Sequence, residues 1–205
     1  MNSWFHEVRG KYDIADRWIG IDYRKSFLDP QVANLALAHE SCHGVIAMTE
    51  FGQATHVVYR FMNEFKHLTP DEKQEMGQLI YNSQLFVQEG LATFLQVSQL
   101  RKATDSRNAL LWAQNELPPD YFKRLQELLF AFKWSQNYRD FFTGKLCDLS
   151  METGIRKVAP KLDLFGSVEK LKTYLSQEDN NPNLRMEKVI STLKYKPWLV
   201  TKSLP

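Results

Sequence analysis

Two histidines four positions apart, His39 and His43, stand in the run His39-Glu40-Ser41-Cys42-His43. On a helix that spacing sets the two side chains about 40° apart around the axis and about 6 Å apart along it. Both imidazoles can then reach one cation, and zinc accepts neutral imidazole nitrogen at about 2.0–2.1 Å. Glu40 is turned about 100° from His39, which places it beside such an ion rather than on it. From there it can take a proton from an attacking water and later deliver it to a leaving amine. With 5 His and 13 Glu in 205 residues, the pattern His-Glu-x-x-His arises by chance in roughly one such chain in a hundred. Val32, Leu35, Ala36, His39, His43 and Ile46 share a helical face, so the histidines continue an apolar stripe and point inward. Buried imidazoles need partners, and a metal supplies them.

A third protein ligand is required, and two glutamates compete for the role. Glu64 follows His43 by 21 positions and is preceded by Asn63. Glu89 follows by 46 positions, in the run Phe86-Val87-Gln88-Glu89-Gly90-Leu91-Ala92.

The run around Glu89 resembles the second motif of gluzincin metallopeptidases, in which a Glu-Gly-x-Ala helix supplies the third ligand. The resemblance covers the stretch up to about residue 101. It implies a zinc-dependent peptidase with His39, His43 and Glu89 on the metal and Glu40 as general base. Its compact spacing fits Glu64, whereas its motif fits Glu89 and then requires an inserted helix between the two motifs; Glu89 is the favoured ligand. Two departures narrow what it implies. Many gluzincins carry an acid four residues after the ligand glutamate, where Thr93 stands here, and the Gly-x-Met-Glu-Asn element of the group's aminopeptidases is absent. Tyr81, Tyr138 and His67 are the candidates for stabilising an oxyanion.

Two rival readings use the same residues. Glu40/His43 and Glu64/His67 are both Glu-x-x-His pairs, and with Glu50 and Glu89 they could form a helical di-iron carboxylate centre. That reading leaves His39 without a role. Alternatively, the chain binds zinc without catalysis, as a regulatory or interaction module. Cys42, inside the motif, reads as a small buried thiol.

The elements that must position these residues follow from pattern and punctuation. Trp18-Ile19-Gly20-Ile21-Asp22-Tyr23 alternates with a period of two and predicts a short strand over 18–23. Asp29-Pro30 then caps a helix expected to run to Phe51, with Gly52 as its stop. Val58, Phe61, Met62, Phe65 and Leu68 mark a second helical face. Thr69-Pro70-Asp71-Glu72 is a capping box opening a long helix to Arg101, with a break expected near Asn82-Ser83 or at Gly90. Beyond Lys102 the chain reads as wholly helical, near 106–116, 119–135, 150–158, 167–177 and 184–194, with Pro118-Pro119, Gly144, Pro160, Gly166 and Asn180-Asn181-Pro182 as punctuation. Phe122, Leu125, Leu128, Leu129 and Phe132 form a packing stripe. The expected fold class is α+β, mostly α: a zincin-like core over 1–101 with a small sheet, and a helical subdomain over 102–205 packed on it.

Composition bounds the partners. The chain is 43% hydrophobic and 24% charged, as expected for a globular protein. No apolar run reaches the roughly 18 residues a membrane span requires, so no membrane partner is expected. The first residues, Met1 to Glu7, lack the basic and apolar regions of a secretory signal, and the two cysteines, Cys42 and Cys147, fit a reducing compartment. The expectation is a cytoplasmic location. Residues 1–101 carry 9 Lys and Arg against 12 Asp and Glu, and residues 102–205 carry 17 against 12. The basic charges of the second half are interspersed with acids, which argues against a nucleic-acid footprint. A peptide or protein substrate is the expected partner.

Overall fold

The computed structural model of the chain describes residues 10–13, 18–21, 30–131 and 139–195. Among these the architecture is α-helical, which corrects the expected α+β, zincin-like class. The strands β1 (Gly10–Asp13) and β2 (Trp18–Ile21) form an isolated antiparallel hairpin, with Gly10 opposite Ile21 and Asp13 opposite Trp18. A two-stranded ribbon offers no sheet layer on which a core could be built. The hairpin lies against α1 (Pro30–Ala47). Asp29, Asp22 and Tyr23 fall outside the described residues.

The helix α1 ends at Ala47, four residues before Phe51, its expected last residue. Thr49 takes extended backbone geometry there, donates its hydroxyl to the Ile46 carbonyl and accepts from the Gly52 amide as the N-cap of α2 (Glu50–Phe61). Gly52 therefore does not end a helix; it sits in the first turn of the next. A Cβ at Gly52 would lie 2.3 Å from the Ile46 carbonyl oxygen, so only glycine lets α2 start this close to the end of α1. A 3-10 turn at Met62–Glu64 leads from α2 to Thr69, whose capping box with Glu72 is formed in full.

That box opens α3 (Pro70–Ala103), 34 residues long, or about 51 Å at the α-helical rise. No break interrupts it. Instead, Asn183 reaches into the helix where Asn82-Ser83 marks the weak point. Its amide nitrogen donates to the Asn82 carbonyl at 2.6 Å, and its oxygen accepts from the Phe86 amide at 2.9 Å. Between Phe86 and Phe94 the residues Phe86, Val87, Gly90, Leu91, Ala92, Thr93 and Phe94 are all buried. A helix buried all round must be covered on every side. The cover comes from α1 and α2 together with α4 (Ser106–Glu116), α5 (Pro119–Ala131), α6 (Arg139–Met151), α8 (Val168–Leu175) and α9 (Pro182–Tyr195), all packed on α3.

The remaining helix, α7 (Ile155–Leu162), holds Pro160 inside it rather than at its end, and Gly144 likewise lies within α6. The start of α7 is tied to α2. Glu50 accepts from the Gly154 amide at 2.6 Å and the Arg156 amide at 3.3 Å, while the Glu50 amide donates to Glu152 at 3.1 Å. One contiguous apolar cluster runs from Leu35 and Ile46 through Phe86, Leu91 and Leu128 to Ile190 and Leu193. No helix among the described residues is long and apolar enough to cross a membrane.

Candidate metal centre

The site forms where α1 crosses the middle of α3. On α1, His39 and His43 face inward as their spacing predicts, with ring centroids 4.9 Å apart and planes at 76°. From α3, Glu89 enters between them. Its carboxylate lies 3.4 Å from His39 Nε2 and 3.7 Å from His43 Nε2. Gly90, next to Glu89, sits against Phe86 and Leu128, where a Cβ would come within 3.1 Å of the Phe86 ring.

His39, His43 and Glu89 each offer one ligand atom, all within 4.8 Å of one another, and this group can hold a metal ion. Neighbouring ligands on a tetrahedral zinc with bonds of about 2.0–2.1 Å are about 3.3 Å apart. His39 faces Oε2 and His43 faces Oε1, so these two separations bear on different carboxylate oxygens, and one oxygen with both ring nitrogens is gathered within 4.8 Å. Protonation suits a cation as well. Burial and the neighbouring His39 hold His43 below its ordinary value against the opposing pull of Glu89 and Gln88, which leaves its imidazole neutral near pH 7. Burial alone would raise Glu89; the hydrogen bond from His39, the charges of His43 and His39 and the Tyr121 phenol outweigh it and hold the carboxyl low. His43 is therefore a neutral imidazole and Glu89 an ionised carboxylate, the forms that ligate.

His43 is oriented from behind. Its Nδ1 lies 2.8 Å from Gln88 Oε1, so the ring turns Nε2 toward Glu89. An outer partner of this type fixes tautomer and ring angle. His39 has no such support: its Nδ1 is buried without a hydrogen-bond partner among the described residues. Thr93, where many gluzincins place an orienting acid, also keeps a buried hydroxyl without a partner and does not fill that role.

Glu40 is buried on α1, in the same turn as His39 and outside the ligand group. Cys42 is a buried free thiol, and burial, then Cys147 and Glu89, push its pKa far up, which makes it inert rather than nucleophilic. Glu64, the competing third ligand, is exposed on the 3-10 turn after α2. Glu50 caps α7, and His67 bonds the Gly166 carbonyl at 3.2 Å. His67 lines a separate cavity of about 510 Å³ with Val57, Phe65, Ile155 and Phe165. The residues of a di-iron set are thus not gathered, and His67 is not placed to serve the centre.

Of the expected tyrosines, Tyr138 lies outside the described residues. Tyr81 is 40% exposed, and partial burial, then the Glu89 carboxylate, raises its pKa. Sequence reading missed Tyr121, on the first turn of α5, whose phenol hydrogen-bonds Glu89 and is pushed up by burial and by that carboxylate. It missed Gln88 too. Neither carries a spacing signal, because each meets the site only through the packing of α5 on α3 or of α3 on α1.

Comparison with family models, characterised proteins and solved structures finds no match for this chain. The functional reading therefore rests on the residues themselves.

Proposed function

We propose that the chain is a zinc-dependent peptidase that hydrolyses peptide bonds with Glu40 as general base. The observation that carries this reading is the gathering of His39, His43 and Glu89 within 4.8 Å, with Glu40 buried in the turn that bears His39. Two imidazole nitrogens and one carboxylate, with a position left for substrate or water, are the ligand set of catalytic zinc. When bound, the ion supplies Lewis acidity: it brings the pKa of a water down toward about 7 and polarises a carbonyl. The chain's residues do the rest. His39, His43 and Glu89 hold the ion, and Gln88 keeps the His43 ring at its angle. Glu40 accepts the proton as water attacks the peptide carbonyl, then returns it to the departing amine.

Two substitutions separate holding from chemistry. Glu89→Ala should weaken zinc retention and lower thermal stability in zinc, because three ligands become two. Glu40→Gln keeps size and shape, so it should keep the metal while hydrolysis of an unstructured peptide library falls by about a hundredfold or more. Metal analysis, chelator reversal and peptide turnover measure all three quantities. Hydrolysis that persists in Glu40→Gln would remove the peptidase reading. Zinc retained after His39→Ala with His43→Ala would remove the metal centre itself.

A further inference from the structure

A buried polar chain leads away from the candidate centre. His43 Nδ1 meets Gln88 Oε1 at 2.8 Å, and Gln88 Nε2 donates to Gln84 Oε1 at 3.2 Å. Gln84 Nε2 donates to Thr55 Oγ1 at 3.1 Å, and the Thr55 hydroxyl donates to the Phe51 carbonyl at 2.9 Å. Gln84 is 1% exposed and Thr55 2%, so water does not compete for the Gln84–Thr55 and Thr55–Phe51 bonds, while the two links through Gln88 are part-buried. The last group in the chain decides the direction of every link. A backbone carbonyl only accepts. Thr55 therefore gives its proton to Phe51 and offers a lone pair to Gln84. Gln84 must then turn its nitrogen to Thr55 and its oxygen to Gln88. Gln88 in turn presents nitrogen to Gln84 and oxygen to His43. His43 is left protonated on Nδ1, with the Nε2 lone pair facing Glu89.

We propose that Gln84 is a positioning residue of the metal centre, which transmits the polarity of the Phe51 carbonyl through Gln88 and holds His43 in the tautomer able to ligate. It touches neither ion nor substrate. Without it, the Gln88 amide can turn over at little steric cost, since its oxygen and nitrogen differ little in size. A reversed Gln88 would donate to Nδ1, move the proton to Nε2 and take His43 out of the ligand set. The purpose of the arrangement rests on the metal-centre reading above, but the tautomer is a property of the metal-free chain and can be read without any ion.

Long-range proton–nitrogen NMR on the metal-free protein at about pH 8 reports which ring nitrogen of His43 carries the proton. The native chain should show Nδ1–H. Gln84→Met, of similar length but apolar, should populate the Nε2–H form and weaken Co²⁺ or Zn²⁺ binding by about ten- to a hundredfold. Thr55→Val, nearly isosteric, should act in the same direction, whereas Thr55→Ser keeps the hydroxyl and should restore both readouts. In a Gln88→Met background, Gln84→Met should cost no further affinity, because the link is already cut. Circular dichroism establishes which variants fold, and Thr55→Val keeps the test open if Gln84→Met does not. Native His43 protonated on Nε2 would overturn the proposal. So would Gln84→Met and Thr55→Val variants that keep the native tautomer and affinity. If the native chain binds neither ion, the metal-centre reading fails, and the tautomer still decides the role of Gln84.

Discussion

The side chain of Asn183 bonds the backbone of another helix: its oxygen receives the Phe86 amide at 2.9 Å and the Val87 amide at 3.3 Å. Its nitrogen donates to the Asn82 carbonyl, four residues before Phe86 on the same continuous helix. The Phe86 and Val87 bonds lie within a turn of Glu89, so α9 fixes the segment of α3 that carries this candidate ligand. Asn183→Ala would leave partly buried donors and an acceptor to find new partners. A loss of about 1–3 kcal/mol is expected, read from urea unfolding. A change within experimental error would show that the helix closes its own ladder once the side chain is gone.

Gly52 is expected to tolerate no side chain. With the Ile46 carbonyl 2.3 Å from an added Cβ, and Ala47 backbone atoms within 2.9 Å, Gly52→Ala must push α2 away from the end of α1. Rigid backbone on both sides makes that an overpacking cost of about 1–3 kcal/mol, seen as a lower thermal midpoint. The strain would also reach the His43 end of α1, so zinc affinity should fall in the same variant.

The metal-free protein should weaken in mild acid. Burial keeps His43 below its ordinary value of 6.5 in the fold. As pH falls through that value, the unfolded chain takes up a proton that the native chain refuses, so stability is full above about 6.5 and declines below it. Glu89, held below its ordinary 4.5, adds a second loss of the same sign at lower pH, as its carboxylate is protonated through the folded value. Urea midpoints measured in chelator from pH 8 to pH 4 should fall toward acid. In His43→Asn the step that begins near 6.5 should disappear, and its persistence there would assign it to another group.

What the sequence revealed about this site was local. The His39–His43 spacing lies within one helix and carries its geometry with it. The capping box at Thr69 was legible for the same reason, since both of its partners lie within four residues. Glu89 was reachable only by comparing motifs, because no spacing rule connects it to α1. The polar partners Gln88, Gln84, Thr55 and Tyr121 were invisible: uncharged or weakly acidic residues at ordinary helix positions acquire roles only when α1, α2, α3 and α5 pack. The expected break in α3 failed for a related reason. Asn82-Ser83 is a real weakness in helix propensity, and a side chain 101 positions away repairs it. The expected sheet failed because alternation over 18–23 specifies a strand but says nothing of how many partners it will find.

The burial of α3 between Phe86 and Phe94 has a consequence for motion. Amide protons between Phe86 and Phe94 sit in a helix packed against seven others, which opposes local opening. They should exchange only when the whole molecule unfolds. Glu89 is thus expected on a slowly exchanging segment, while His39 and His43 ride on α1, which is buried on one face and open on the other. Any breathing of the centre belongs to the histidine side, and an ion entering or leaving would pass where α1 lifts away from an unmoving carboxylate.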